Sequence, residues 1–217
     1  MQNVGKGLKI VVVISLVGCP LAILLYYSGI QSITTSEVFF NSSNPFNWEQ
    51  EDKTIQLHGR WYFPRGIQTT EHLSANRNIP IVFMFHGVTR TLEDNDYFAR
   101  LLAGMGISTF SIDFRGHGLS NGTFPKDDGT QYNLTFGDAL GAYRYVVSKL
   151  DITKDRLLVH GTSLGGGASL FLALSGLVPQ FLVWYPATAY LMGNIPLYMQ
   201  NGSDPLFMGL ILAGTAD

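Results

Sequence analysis

From residue 54 onward, short apolar runs alternate with longer amphipathic segments. Apolar residues at helical spacing predict three helices, at Asp96–Met105, Thr135–Leu150 and Leu164–Leu177. The short runs predict strands, the first of them antiparallel, at Thr54–Phe63, Pro80–Phe85, Ile107–Phe114, Arg156–Val159, Phe181–Tyr185 and Met208–Ala213. Alternation of this kind predicts an α/β fold with a mostly parallel sheet covered by helices on both faces. In such sheets, functional sites form beyond the carboxyl ends of the strands.

The chain begins with an uncharged apolar segment, residues 10–30, which is long enough to cross a bilayer as a helix. A cleaved signal peptide has an apolar region of only about 7–15 residues, so the length favours an uncleaved anchor. Lys6 and Lys9 precede the segment, and Glu37 is the first charge after it. The positive-inside rule therefore places residues 1–9 in the cytoplasm and the rest of the protein on the extracytoplasmic side.

Two alternatives remain open for this segment. A cleaved signal peptide would need a small-x-small site, and no strong one ends the run. A lipoprotein would use Leu16–Cys19, but Pro20 and a further apolar stretch follow the cysteine. Residues 31–53 are rich in Ser, Thr, Asn and Glu and predict a polar spacer that leads to a domain over residues 54–217.

Composition excludes several classes of function. The chain holds 14 Lys and Arg against 16 Asp and Glu, for a net charge of -2, with no basic run that would predict nucleic-acid binding. Its single cysteine excludes an intrachain disulfide. No phosphate-binding glycine loop and no clustered Cys/His ligands occur, so we expect neither a cofactor nor a metal. Nothing in the composition indicates an oligomeric state.

Residues Gly161–Gly165 match the pattern G-x-S-x-G, with Ser163 at its centre. The motif follows a predicted strand and opens a predicted helix, which is the strand–turn–helix setting that a nucleophilic serine requires. Gly161 and Gly165 flank the serine because a Cβ atom at either position would clash in so sharp a turn. The turn lifts the hydroxyl above the sheet edge and aims the helix N-terminus at developing negative charge. Ser163 is therefore the candidate nucleophile.

His86-Gly87-Val88 follows another predicted strand, and here the sequence resembles the α/β-hydrolase superfamily. The resemblance implies that the backbone N–H groups of Val88 and Leu164 form an oxyanion hole and that His86 holds the loop in place. Asp113–Ser120 resembles the D-x-R-G-H-G-x-S turn of monoacylglycerol lipases and serine aminopeptidases, so Asp113 is expected to be a turn residue.

Gly214–Asp217 resembles the turn that carries the catalytic acid in this superfamily, which makes Asp217 the candidate acid. The resemblance places the catalytic histidine after the acid. All five histidines instead precede Ser163, and His117 among them is in the wrong order to be the base. We therefore expect the chain to be a fragment of a longer enzyme, lacking the last strand, helix and histidine. The histidines are His58, His72, His86, His117 and His160.

The leading hypothesis is a membrane-anchored serine hydrolase that acts on carboxylic esters, thioesters or monoacylglycerols. Its partner is then a small acyl or lipid-like substrate, attacked by Ser163 to form an acyl-enzyme. A serine peptidase of the aminopeptidase or prolyl type is a second possibility, because such enzymes share the same turns. A third is a non-catalytic binding or scaffolding module that retains the fold.

Overall fold

The computed structural model describes residues 32–44, 50–124, 133–184 and 208–212, together with Gly29 and Asn47. The α-helices in these ranges are α1 (Thr70–Ala75), α2 (Asp96–Gly104), α3 (Asn133–Lys149) and α4 (Leu164–Leu174). The strands are β1 (Thr34–Ser43), β2 (Glu51–Phe63), β3 (Ile81–Phe85), β4 (Ser108–Ile112), β5 (Leu157–Thr162), β6 (Gln180–Trp184) and β7 (Met208–Leu212). Short 3₁₀ turns occur at Leu92–Asn95 and Lys154–Arg156.

The strands form one sheet in the order β1-β2-β4-β3-β5-β6-β7. The pairings of β4 with β3, β3 with β5, β5 with β6 and β6 with β7 are parallel. β2 is antiparallel to both of its neighbours, β1 and β4. The sheet is therefore mixed, with its parallel part on the side that carries the G-x-S-x-G turn.

The first strand corrects the expectation of a polar spacer over residues 31–53. Every residue of β1, from Thr34 to Ser43, pairs with a residue of β2, and the register shifts once, between Asn41 and Ser42. An edge strand buries few side chains, so its sequence looks like a polar linker although its backbone is paired. Phe40, Ser42 and Ser43 are the buried residues at its end. Helix α1 was also not predicted from the sequence.

The core lies on both faces of the sheet, and β3 at the centre shows this directly. Ile81, Phe83 and Phe85 point into the larger cluster, which includes side chains of α3 and α4. Val82 and Met84 point into the smaller cluster, against α2. All five side chains are buried, which confirms the prediction that this apolar run is a strand covered on both faces.

The predicted membrane segment, residues 10–30, lies outside the described residues except for Gly29. Among the helices that the structure does describe, none has both the length and the apolar character needed to span a bilayer. Asp217 also lies outside the described residues.

Candidate functional site

Ser163 occupies a sharp turn between the end of β5 and the start of α4. Its backbone has φ 53° and ψ −114°, a left-handed conformation that non-glycine residues rarely adopt. Its N–H donates to the carbonyl of Trp184 at the end of β6 (3.0 Å), and its carbonyl accepts from Gly167 in the first turn of α4 (3.0 Å). This strain is maintained because the strand, the neighbouring strand and the helix all fix the backbone.

Close packing explains both glycines of the motif. A Cβ atom on Gly165 would overlap the backbone carbonyl of Phe85, at the end of β3. A Cβ atom on Gly161 would overlap the carbonyl of Gly165 itself. The helix that follows Ser163 thus lies directly against β3 and β5, and larger residues would displace it from the sheet.

The loop after β3 approaches the serine from the other side. A Cβ atom added to Gly87 would lie 3.6 Å from Ser163 Cβ and 3.6 Å from the carbonyl oxygen of Thr162. Gly87, Val88 and Ser163 line one cleft of about 390 Å³. Leu164 is the first residue of α4, so its N–H has no acceptor within the helix. The structure therefore brings the candidate nucleophile and the loop predicted to supply an oxyanion donor to the same cleft.

His86 is buried and joins this loop to the end of β4. The N–H of Phe114 donates to Nε2 (3.0 Å), so Nδ1 carries the ring proton and donates to the carbonyl of Gly87 (2.7 Å). Burial lowers the pKa of His86 to about 4. The ring is therefore neutral at physiological pH, and both of its nitrogens are used to hold the loop.

Asp113 does more than the turn role expected from the sequence. Its buried carboxylate accepts from the N–H of Leu92 (2.8 Å), just after the His86 loop, and from the N–H of Leu119 (3.1 Å). It also pairs with His58 Nδ1 (2.8 Å), whose Nε2 lies 2.7 Å from Glu37. Asp113 thus links β2, the loop after β3 and the turn after β4.

A second buried network supports the same turn. The carboxylate of Asp138, in α3, accepts from the backbone N–H of Arg115 (3.0 Å) and from its guanidinium (2.7 Å). Ser42 of β1 donates to the same carboxylate (2.6 Å). Sequence reasoning missed this network because its members come from β1, the turn after β4 and α3.

The segment that follows the His86 loop forms a wall of the cleft that carries polar side chains. Arg90 and Asp94 form an ion pair (3.1 Å), and the second carboxylate oxygen of Asp94 accepts from the N–H of Thr91 (3.0 Å). Asn95 lines the cleft at the N-cap of α2 but makes no side-chain capping hydrogen bond. Its Nδ2 is shielded from solvent and has no hydrogen-bond partner within the described ranges.

The remaining histidines are engaged elsewhere. His117 and His160 each contact a backbone carbonyl through Nδ1 (3.0 and 3.2 Å), and burial lowers the pKa of His160. His72 is exposed on α1. In the part of the chain that the structure describes, no imidazole is hydrogen-bonded to Ser163, and no three His, Cys, Asp or Glu side chains are arranged to bind a metal ion.

Comparisons with known proteins agree with this geometry. Residues 76–178 match the family model of the serine aminopeptidases, S33. An uncharacterized protein, YfhR, of Salmonella typhi is 30% identical over 110 residues, which cover 51% of this chain and 34% of the relative. The match thus spans about a third of that protein.

Solved structures show the same fold at low identity. An alpha-beta serine hydrolase homologue from Coxiella burnetii superposes with a TM-score of 0.53 at 20% identity, covering 83% of this chain and 74% of its own. A hyperthermophilic esterase from the archaeon Pyrobaculum calidifontis gives a TM-score of 0.51 at 18% identity, covering 84% and 62%. The chain therefore has the α/β-hydrolase fold, and the match over residues 76–178 supports its placement among the α/β hydrolases.

Proposed function

We propose that the protein is a serine hydrolase that cleaves carboxylic ester, thioester or monoacylglycerol bonds through an acyl-enzyme on Ser163. The observation that carries the proposal is the left-handed backbone at Ser163, beside the Gly87 loop and at the start of α4. A non-glycine residue at a strained position of this kind is characteristic of functional sites.

In the proposed reaction, the Ser163 hydroxyl attacks the carbonyl carbon, and its proton passes to a general base. The N–H groups of Val88 and Leu164 stabilise the oxyanion of the tetrahedral intermediate, which then expels the alcohol or thiol and leaves an acyl-enzyme. Water hydrolyses the acyl-enzyme in the second half of the reaction. Asp217 is proposed to orient the base.

Active-site labelling with a fluorophosphonate tests this proposal on the full-length protein. We expect one covalent adduct per folded molecule, located on Ser163 by peptide mass spectrometry. Ser163→Ala should abolish labelling, whereas Ser148→Ala, which changes an exposed serine of α3, should leave it unchanged. A folded protein that takes no label on Ser163 would refute the proposal.

A peptidase is the second candidate, and the family model over residues 76–178 is the observation that favours it. An ester and an amide pass through the same tetrahedral intermediate, so the same serine could serve either bond. Parallel assays on 4-nitrophenyl butyrate and L-alanine 4-nitroanilide separate the two. Faster turnover of the anilide would favour the peptidase.

We also propose that residues 10–30 anchor the protein in a membrane, with the hydrolase domain on the extracytoplasmic side. The support is the uncharged length of this segment and the lysines that precede it. Extraction of membranes with alkaline carbonate tests the anchor, and removal of residues 1–31 should release the protein into the supernatant. Recovery of the unaltered protein in the carbonate supernatant would contradict it.

A further inference from the structure

The charged side chains that line the cleft beside Ser163 come from one short segment. Arg90, Asp94 and the neutral Asn95 follow the His86 loop in sequence and line the cleft together with Gly87 and Val88. His86 is neutral because burial lowers its pKa to about 4. Among the described residues, any charge selection in this cleft therefore depends on Arg90 and Asp94.

Arg90 has hydrogen-bonding capacity to spare. Its ion pair with Asp94 uses Nη1, whereas a guanidinium offers five N–H donors. The side chains of Arg90 and Asp94 are 65% and 40% exposed, and exposed pairs of this kind are weak. An anionic ligand in the cleft can therefore bind the guanidinium without breaking a strong internal interaction.

Asn95 supplies a second donor on the same wall. An asparagine at an N-cap ordinarily accepts a hydrogen bond from the first turn of its helix, but Asn95 does not. Its Nδ2 is an unsatisfied donor within the described residues. A shielded donor without an acceptor is destabilising, and a rotation of the Asn95 side chain toward the cleft that it lines would bring this donor to a ligand oxygen.

The acidic side chains near the cleft already accept hydrogen bonds from other groups, and this bears on whether the cleft favours an anionic or a cationic substrate. Both oxygens of Asp94 accept hydrogen bonds, from Arg90 and from Thr91. Glu93 pairs with Arg60 (2.6 Å). Most N–H donors of Arg90 and the Nδ2 of Asn95 have no partner among the described residues, whereas each oxygen of Asp94 already accepts a hydrogen bond. An anionic group therefore finds more unused hydrogen-bonding capacity in this part of the cleft than the ammonium group of an aminopeptidase substrate.

We propose that Arg90 and Asn95 form a subsite for an anionic oxygen group on the substrate, so that the enzyme prefers esters bearing a carboxylate near the scissile carbonyl. The subsite rests on the proposed hydrolase function of Ser163. The chemistry is a charge-assisted hydrogen bond to the guanidinium, together with a neutral one to the carboxamide.

The experiment compares esters of nearly equal size in the full-length protein. Mono-4-nitrophenyl glutarate carries the carboxylate on the acyl side, and 3-carboxy-4-nitrophenyl butyrate carries it on the leaving group. 4-Nitrophenyl pentanoate and 4-nitrophenyl butyrate are their neutral counterparts. We expect one anionic ester to exceed its neutral counterpart in kcat/KM, and the identity of that ester places the subsite on the acyl or the leaving-group side.

Variants then test the residues. Arg90→Gln should lower kcat/KM for the preferred anionic ester by about 10-fold or more, mainly through KM, and change the neutral ester less than about threefold. Asn95→Asp should also lower it, because a negative charge replaces the donor. Asp94→Asn should raise it, since the guanidinium loses its internal anion. Arg77→Gln is the matched control, because Arg77 is an exposed, ion-paired arginine before the opposite end of β3.

The outcomes separate this proposal from the one on which it rests. Equal losses for neutral and anionic esters in Arg90→Gln, or a wild-type enzyme without anionic preference, would overturn the subsite but leave the hydrolase intact. Failure to hydrolyse any ester, with no labelling of Ser163, would overturn both. The opposite effects expected of Arg90→Gln and Asp94→Asn distinguish charge recognition from a general loss of structure.

Discussion

Replacement of Asp113 by asparagine tests whether the buried carboxylate holds the loops around the cleft. Asp113 is 2% exposed and accepts hydrogen bonds from Leu92 and Leu119 as well as pairing with His58. The amide retains one acceptor oxygen, and its NH₂ group then faces an N–H donor. The change therefore removes the charge opposite His58 and leaves at least one buried donor unsatisfied.

The magnitude follows from these contacts. A hydrogen bond to a charged acceptor contributes about 1.5–3 kcal/mol, and an unsatisfied buried donor costs about 1–3 kcal/mol. Because the asparagine keeps one hydrogen bond, we expect the free energy of unfolding to fall by about 3 kcal/mol. Urea denaturation at neutral pH measures this loss. Asp151→Asn, in an exposed pair with Arg77, is the control and should stay within about 0.5 kcal/mol of wild type.

The same variant has a consequence for chemistry. Leu92 follows the loop that contains Gly87 and Val88, so loss of its acceptor loosens the loop that lies beside Ser163. Fluorophosphonate labelling of the folded fraction should then slow by about 10-fold or more, since displacing one oxyanion donor is worth about 10²–10³ in rate. An unfolding free energy within about 1 kcal/mol of wild type would refute the structural reasoning. If Asp113→Asn loses the expected stability but Ser163 is labelled at the wild-type rate, only the connection between Asp113 and the site is refuted.

Three further changes follow from the same contacts. Gly165→Ala should destabilise the fold by about 1–3 kcal/mol and abolish labelling, because its Cβ would overlap the Phe85 carbonyl; urea denaturation and mass spectrometry measure both effects. Arg115→Met should cost about 3–5 kcal/mol by leaving the Asp138 carboxylate buried without its partner, and adding Asp138→Leu should recover much of that loss in the same titration. Burial lowers the pKa of His86 to about 4 from 6.5, so between these values the folded chain binds fewer protons than the unfolded chain. Stability should therefore fall by about 3 kcal/mol as the pH drops from about 6.5 to about 4, and His86→Asn should flatten this part of the curve of unfolding free energy against pH.

The central strands could be predicted from the sequence because burial on both faces leaves an apolar run with little ambiguity. β3 and β5 and the helix at Leu164 all lie within a few residues of their predicted bounds. The turn at Ser163 could be predicted as well, because the two glycines that its close packing requires stand two residues on either side of the serine in a recognisable pattern. Strand β1 could not, because what makes it a strand is its pairing with β2 and the contact of Ser42 with Asp138, 96 residues away.

The site shows the same division between local and distant causes. The positions of Gly87 and Ser163 in one cleft follow from the rule that sites form where parallel strands end. The role of Asp113 does not follow from this rule. Its partners His58 and Leu92 come from other elements, and no local sequence pattern joins them. Arg90 and Asn95 were missed although they follow Val88 closely in sequence, because no motif marks which residues after this loop line the cleft.

Two parts of the cleft therefore differ in how firmly they are held. The frame around Ser163 is fixed by buried hydrogen bonds of His86 and Asp113, so a change in the frame alters stability and chemistry together. In the wall, Arg90 makes one exposed ion pair, and Asn95 makes no capping hydrogen bond. A substitution at either residue therefore costs little stability. Substrate preference can thus change independently of the fold. This separation is why variants at Arg90 should shift the ratio of anionic to neutral ester hydrolysis while leaving the unfolding free energy within about 0.5 kcal/mol of wild type.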